Sequence, residues 1–156
     1  MTEIRRMKEE EYPLLEKFLY NAIFIPEGVE APPYDIIYRP ELRVYTEGFG
    51  MSPHDHAYCA VNDGEVIGAA WVRIMDDYGH IDDDTPSLAV SLLRECRGQG
   101  IGTRLMRELL DSLAQAGYSK ISLAVQKANY AVRMYKKLGF TVTGENDEEY
   151  IMVYNC

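Results

Sequence analysis

Three glycines in five residues, Gly98-Gln99-Gly100-Ile101-Gly102, constrain this chain more than any other stretch. The apolar run "PSLAVSLL" precedes them and reads as a buried strand. After them Ile101, Leu105, Leu109 and Leu113 recur at helical spacing, with Met106 and Leu110 beside them. Arg104, Arg107, Glu108 and Asp111 fall on the other face. The pattern is strand, glycine turn, amphipathic helix. Glycine lets a backbone approach a ligand closely and turn with positive φ. The first amides of a helix have no intrahelical partner, and the helix adds the positive end of its dipole. Such a turn suits a phosphate group. The bland alternative is a tight turn whose glycines serve packing alone.

The remaining patterns give one domain over residues 1–156, without an internal repeat. "EIRRM" reads as a first strand. "EEYPLLEKFLYNAIF" carries Tyr12, Leu15, Phe18, Leu19, Ala22 and Ile23 at helical spacing and predicts a continuous helix. Residues 24–40 hold four of the seven prolines and read as an aromatic loop. "PELRVYTEGF" predicts a short helix with Pro40 in its first turn. Apolar runs on both sides of Asn62-Asp63-Gly64 predict a hairpin. Gly117 is a natural end for the long helix. "KISLAV" is the next strand, and "NYAVRMYKKL" a short helix with Asn129 at its start and Gly139 at its end. "FTVTG" and "YIMVY" close the chain as two strands. Hairpins combined with strand-helix-strand crossovers predict an α/β (α+β) mixed sheet, mostly antiparallel, of about seven strands with about four helices on its faces.

Several function classes are disfavoured. The hydrophobic fraction of 47% argues against disorder. No apolar stretch approaches a membrane span, and residues 1–18 lack a signal-peptide core, so a cytoplasmic protein without membrane association is expected. The three cysteines are expected as reduced thiols. Cys96 has no histidine near it in sequence and is a poor nucleophile candidate. A net charge of -9 disfavours nucleic acid, so an anionic ligand must be gripped locally. His54 and His56 at i, i+2 on a strand would share a face, but no further ligand supports them, and no metal is expected.

Known phosphate turns narrow the choice. A Walker loop needs Lys and Ser or Thr after its last glycine, where Thr103-Arg104 stand. A dinucleotide turn wants glycine at 103 and an acidic residue after the next strand, where "LAVQK" has none. Arg97-Gly98-Gln99-Gly100-Ile101-Gly102 does match Arg/Gln-x-x-Gly-x-Gly/Ala. Twenty-seven residues after Gly102 begins "NYAVRMYKKLGF", with Asn129, Ala131, Tyr135, Gly139 and Phe140 in the pattern Asn-x-Ala-x-x-x-Tyr-x-x-x-Gly-Phe. Together with the order of elements, these motifs resemble the GNAT superfamily of N-acetyltransferases over most of the chain. The family often has proline where Arg94 stands.

The resemblance implies acetyl-coenzyme A as cosubstrate and a central sheet whose middle strands splay around the pantetheine arm. Val90, Ser91 and Leu92 would pair with that arm through their backbone. Arg97 and the turn Gly98, Gln99, Gly100, Ile101, Gly102 and Thr103 would hold the pyrophosphate, and Asn129 would lie beside the pantetheine. A neutral amine would attack the thioester directly, with a backbone N–H near Leu92 as oxyanion donor. Tyr135 would be the general acid for the departing thiolate, as well as a coenzyme contact.

The base is the open role. A lysine-like amine of pKa about 10.4 is handicapped by about 4.6 kcal/mol at pH 7, an α-amine near 8 by only about 1.4. The carboxylates in question are Asp76, Asp77, Asp82, Asp83 and Asp84. Asp84 is the first candidate, because some family members place a base near the start of the strand before the glycine turn. A solvated acidic loop, with deprotonation through water, is the alternative. Phe24, Glu27, Tyr34 and Tyr38 in the proline-rich loop are candidates for lining the acceptor site, which would take a primary amine of a small molecule or peptide. The resemblance also allows a homodimer. The competing readings are a non-catalytic acyl-coenzyme A-binding module, transfer of another acyl group, or transfer to a hydroxyl.

Overall fold

Seven strands in the order β1-β2-β3-β4-β5-β7-β6 form one twisted sheet in the computed structural model, which describes residues 2–156. They are β1 (Thr2–Arg6), β2 (His56–Asn62), β3 (Glu65–Arg73), β4 (Ser87–Leu92), β5 (Lys120–Gln126), β6 (Thr141–Glu145) and β7 (Glu149–Asn155). Every neighbouring pair is antiparallel except β4–β5. The helices are α1 (Leu15–Ala22), α2 (Pro40–Arg43), α3 (Ile101–Gln115) and α4 (Ala131–Leu138). Strand content, sheet type and helix number agree with the sequence pattern.

Local chemistry explains where the elements turn. Asp63 and Gly64 adopt φ of 50° and 81°, the left-handed pair that a two-residue hairpin requires between β2 and β3. The first helical segment is shorter than its periodicity predicts. Glu9–Leu14 is a 3-10 helix containing Pro13, and only Leu15–Ala22 is α-helical. Pro13 has no N–H to give to a preceding carbonyl, so the α-helix starts beyond it. The helix expected over "PELRVYTEGF" likewise stops at Arg43 and continues as hydrogen-bonded turns to Phe49.

Two apolar layers sandwich the sheet. On one face Leu105, Met106, Leu109, Leu110 and Leu113 of α3 pack on Ile121, Leu123, Val125 and Met152. Each buried leucine contributes about 1.5–3 kcal/mol by leaving water. On the other face Leu15, Phe18 and Leu19 of α1 cover Ala57, Cys59, Ala69 and Trp71. The Trp71 indole donates to the Tyr45 carbonyl oxygen at 3.0 Å, which ties the segment after α2 to the sheet. Among the described residues no helix is long and apolar enough to cross a membrane. The three cysteines are free thiols.

Candidate active site

The sheet opens at its centre. β4 and β5 run parallel, yet the only residues in register are Ser87 and Ser122. β5 meanwhile pairs with β7 along its whole length, from Lys120 to Gln126. The two central strands therefore meet at Ser87, the first residue of β4, and Ser122, the third of β5, and part beyond them. On the other side of β4, Leu93 donates its N–H to the Ile67 carbonyl oxygen at 2.8 Å. Opposed residues of an antiparallel pair alternate between exchanging hydrogen bonds and exchanging none. Leu92 opposite Gly68 and Val90 opposite Ala70 thus turn their backbone polar groups away from β3, toward the gap. Ser91 faces the other way in both respects. Its Oγ donates to the Phe18 carbonyl oxygen at 2.6 Å, which locks β4 to α1.

Leu92 fits against β3 because residue 68 is glycine. A Cβ on Gly68 would overlap the Leu92 side chain, and one on Gly102 would sit 3.8 Å from it. This brings the first turn of α3 against the end of β4.

The glycine turn stands at the open end of the gap. Gly98 and Gly100 adopt φ of 78° and 80°, and a Cβ on either would meet nothing within 4 Å. Their need for glycine comes from the backbone, not from crowding. Among the described residues, no backbone hydrogen bond is donated by Gly98 through Thr103. The first amide engaged is that of Arg104, which donates to the Gly100 carbonyl at 3.2 Å. A run of free amides at the positive end of a helix of 15 residues fits a diphosphate. Arg97 does not point its guanidinium into the turn. Its Nε donates to the Leu92 carbonyl at 3.3 Å and its Nη2 to the Asn21 carbonyl at 3.0 Å. It braces the turn against the last turn of α1, where helix carbonyls are free.

The second motif builds the far wall. Asn129 accepts the Ala131 N–H on its Oδ1 at 2.9 Å and so starts α4. Gly139 ends the helix at φ 115°, and a Cβ there would press on the Tyr154 ring at 3.3 Å. The chain reverses, and the Phe140 N–H donates to the Tyr135 carbonyl at 3.0 Å. Tyr135 is buried in the same cluster as Leu92 and Ile101. Burial, with a smaller contribution from Tyr130, pushes its phenol above the ordinary range. The hydroxyl is therefore protonated throughout the neutral range.

A groove of about 380 Å³ runs from Thr103 and Arg107 on α3 to Arg133, Met134 and Lys137 on α4, with Tyr130 at its rim. Tyr130 is 73% exposed. Three cations and an open aromatic ring thus adjoin the glycine turn in a chain of net charge -9.

Known proteins share this fold. A sequence model of the acetyltransferase (GNAT) family matches residues 15–140, most of the chain and both motifs. The chain belongs to the acetyltransferase (GNAT) family. Among curated relatives, the probable N-acetyltransferase camello of Xenopus laevis is 26% identical over 103 residues, which are 65% of this chain and 46% of that protein. N-acetyltransferase 8B of Homo sapiens is 26% identical over 113 residues, 72% of this chain and 50% of that protein. The chain spans about half the length of these curated relatives. In fold it is similar to the PaiA N-acetyltransferase of Thermoplasma acidophilum, solved in complex with coenzyme A. That comparison has a TM-score of 0.72 at 20% identity, over 100% of this chain and 99% of the other.

Within this GNAT frame the expected site residues separate into groups. Val90, Leu92 and Gly98 to Thr103 border the gap or its mouth, and Tyr135 is buried in the core cluster that holds Leu92. Ser91, Arg97 and the Asn129 amide carry structural bonds instead. Asp84 is exposed, and its N–H donates to Asp82 Oδ1 at 2.9 Å in a surface turn. Of the loop residues, Phe24 is half-buried and Glu27 exposed. Tyr34 lies against Tyr20 with ring centroids 5.1 Å apart, and Tyr38 donates to Glu16 at 2.8 Å. His54 and His56 bracket one phenol, with Tyr118 Oη 2.7 Å from His54 Nδ1 and 3.5 Å from His56 Nε2. Among the described residues no group of three or more His, Cys, Asp or Glu could hold a metal ion.

One set of residues escaped the sequence reading. The cationic groove had a signal: Tyr130, Arg133 and Lys137 recur at i, i+3 and i+7, a single helix face. Asp77 stood among the candidate carboxylates without being singled out, and its carboxylate accepts hydrogen bonds from Tyr45 and Ser87 at 2.9 Å each. It joins three separate segments and had no local signal.

Proposed function

We propose that this chain is an acetyl-coenzyme A-dependent N-acetyltransferase acting on a primary amine of a small molecule or peptide. The observation that carries the reading is the β4–β5 gap, lined by backbone groups of Val90 and Leu92 and closed at its wide end by the free amides of Gly98 to Thr103. A pantetheine arm is a chain of amides, and it completes such an edge as an added strand would. The pyrophosphate then rests on the glycine turn. The nucleotide end falls toward the groove of Arg107, Arg133 and Lys137, with Tyr130 able to stack on a base. Each charge-assisted contact there is worth about 1.5–3 kcal/mol.

The cosubstrate supplies an activated acetyl group, and the chain supplies placement and protons. The Leu92 N–H faces the gap beside the glycine turn, where it can pair with the pantetheine arm. Tyr135 remains a donor at neutral pH because burial holds its proton. A hydrogen bond from it to the departing sulfur lowers the cost of C–S cleavage.

The test is to mix the protein with acetyl-coenzyme A and a panel of primary amines and record free thiol. Amine-dependent thiol release that drops with Tyr135→Phe supports the reading. Tight binding of the coenzyme with no release across the panel would assign the chain to acyl-coenzyme A binding without transfer.

A further inference from the structure

The narrow end of the gap holds chemistry that the coenzyme site does not use. Ser87 and Ser122, the one pair in register between β4 and β5, are fully buried, with their hydroxyls 3.5 Å apart. Ser87 Oγ donates to Asp77 Oδ1 at 2.9 Å, and Tyr45 Oη donates to Asp77 Oδ2 at 2.9 Å. Burial, followed by the charge of Asp77, pushes the Tyr45 phenol above its ordinary range, so Tyr45 stays a donor. Both carboxylate oxygens of Asp77 are thus fixed by neutral hydroxyls. Among the described residues no lysine, arginine or histidine forms an ion pair with it.

The loop that carries Asp77 lies across β5. A Cβ on Gly79 would come within 3.1 Å of the Ala124 nitrogen and 3.2 Å of the Leu123 carbonyl carbon, so glycine lets the loop lie close on the β5 backbone. The side chains of Ser87 and Ser122 lie on the sheet face opposite α3, as those of Leu88 and Leu123 pack toward α3. Asp77 therefore borders the gap from the face opposite α3. From the glycine turn to Ser87 the gap runs the length of β4, about 17 Å at 3.3 Å per residue. An arm anchored at the turn directs its reactive end toward Asp77.

We propose that Asp77 is the catalytic residue that receives the acceptor's ammonium group and takes its proton, with Tyr45 and Ser87 as the positioning residues that hold the carboxylate. This inference rests on the transfer reading above and adds to it the residue on the acceptor side. A half-buried carboxylate with neutral partners is completed by a cation. The ammonium loses one proton to Asp77, and the free nitrogen pair forms the C–N bond to the thioester carbon. The C–S bond breaks with its electron pair on sulfur, which takes the Tyr135 proton. The second proton lost by nitrogen restores the phenol, and Asp77 returns its proton to water. Glu149 stands near enough for the charge of Asp77 to act on it. Burial first, then Glu148 and Asp77, raise its carboxyl above the ordinary range. An ammonium at Asp77 relieves that repulsion. Asp84 is exposed and lacks this setting.

The experiment compares Asp77→Asn with Asp84→Asn and the parent in thiol release from acetyl-coenzyme A, over pH 6–9, with an alkylamine acceptor. The amide in Asp77→Asn keeps the shape of the carboxylate and loses its charge. The expected result is a fall of about 100-fold in kcat/KM at pH 7 for Asp77→Asn, the scale of general-base catalysis. Its profile should climb with unit slope toward the amine's own pKa while the parent's stays level. Coenzyme affinity should be unchanged, and Asp77→Glu should recover part of the rate. A parent-like rate and profile in Asp77→Asn, or the loss falling on Asp84→Asn, overturns the assignment while leaving the transfer reading intact. If the parent releases no thiol, the transfer reading has failed, and ammonium binding to the acetyl-coenzyme A complex decides the rest. Loss of that binding in Asp77→Asn upholds the acceptor site, and equal binding removes it.

Discussion

Gly68 on β3 and Leu92 on β4 are opposed in register, and the Leu92 side chain occupies the space that a Cβ on Gly68 would need. The same leucine rests against Gly102 at the start of α3. A single side chain thus sets the spacing between the strand that lines the gap and the turn that closes it. Gly68→Ala would push Leu92 toward the gap. Overpacking of this kind costs about 1–3 kcal/mol. A lowered Tm should be accompanied by weaker acetyl-coenzyme A binding, read by calorimetry. A Tm loss with unchanged affinity would mean that Leu92 has no bearing on the gap.

At Gly100 the requirement is different. Its φ is 80° and no atom lies near the missing side chain. Gly100→Ala should cost about 1–2 kcal/mol through the left-handed backbone alone. Relief of that strain by a changed turn would re-aim the amides of Ile101 to Thr103. Coenzyme affinity is expected to fall at least tenfold in titration, with the far-UV spectrum unchanged.

The groove between α3 and α4 should respond to charge and salt. Arg133→Glu combined with Lys137→Glu is expected to weaken acetyl-coenzyme A about tenfold or more, the loss of one charge-assisted contact. Coenzyme A lacking its 3′-phosphate should distinguish parent from variant much less. Raising ionic strength should weaken the parent and leave the double variant nearly level.

Stability at low pH should report the pair between β1 and the 3-10 segment. Arg5 Nη1 and Nη2 donate to the two carboxylate oxygens of Glu11 at 2.9 Å each. This hydrogen bond first, and the Lys8 backbone N–H as well, lower the Glu11 carboxyl from 4.5 to about 2. A depressed carboxyl stabilises the fold fully above its unfolded value and loses that contribution as pH falls through its folded value. The loss therefore belongs between about pH 4.5 and 2. Glu11→Gln should remove about 1–3 kcal/mol at pH 7 and flatten urea-measured stability across that window.

The frame of the site was legible because its signals are local. Asn62-Asp63-Gly64 named its own turn, and Gly98 with Gly100 named theirs, since positive φ selects the residue. Tyr135, Gly139 and Phe140 lie within one helix and its cap. The α1 boundary was misplaced because helical periodicity outlasts the helix past Pro13. Arg97 was expected at phosphate, but no sequence pattern shows that two carbonyls 76 and 5 positions away take its donors. Asp77 was one aspartate among several in its loop. What separates it from Asp84 is Tyr45, 32 residues upstream, and Ser87, 10 residues downstream. Such a constellation is written in the fold and not in any window of sequence.

Amide hydrogen exchange with and without acetyl-coenzyme A tests the central claim most directly. The coenzyme arm should add to the β4 edge and its pyrophosphate should cover the turn. Exchange should slow at Val90, Leu92 and Gly98 through Thr103, while the β2–β3 turn at Asp63 and Gly64 stays as it was. Protection confined to other segments, or no change at saturating coenzyme, would contradict the account.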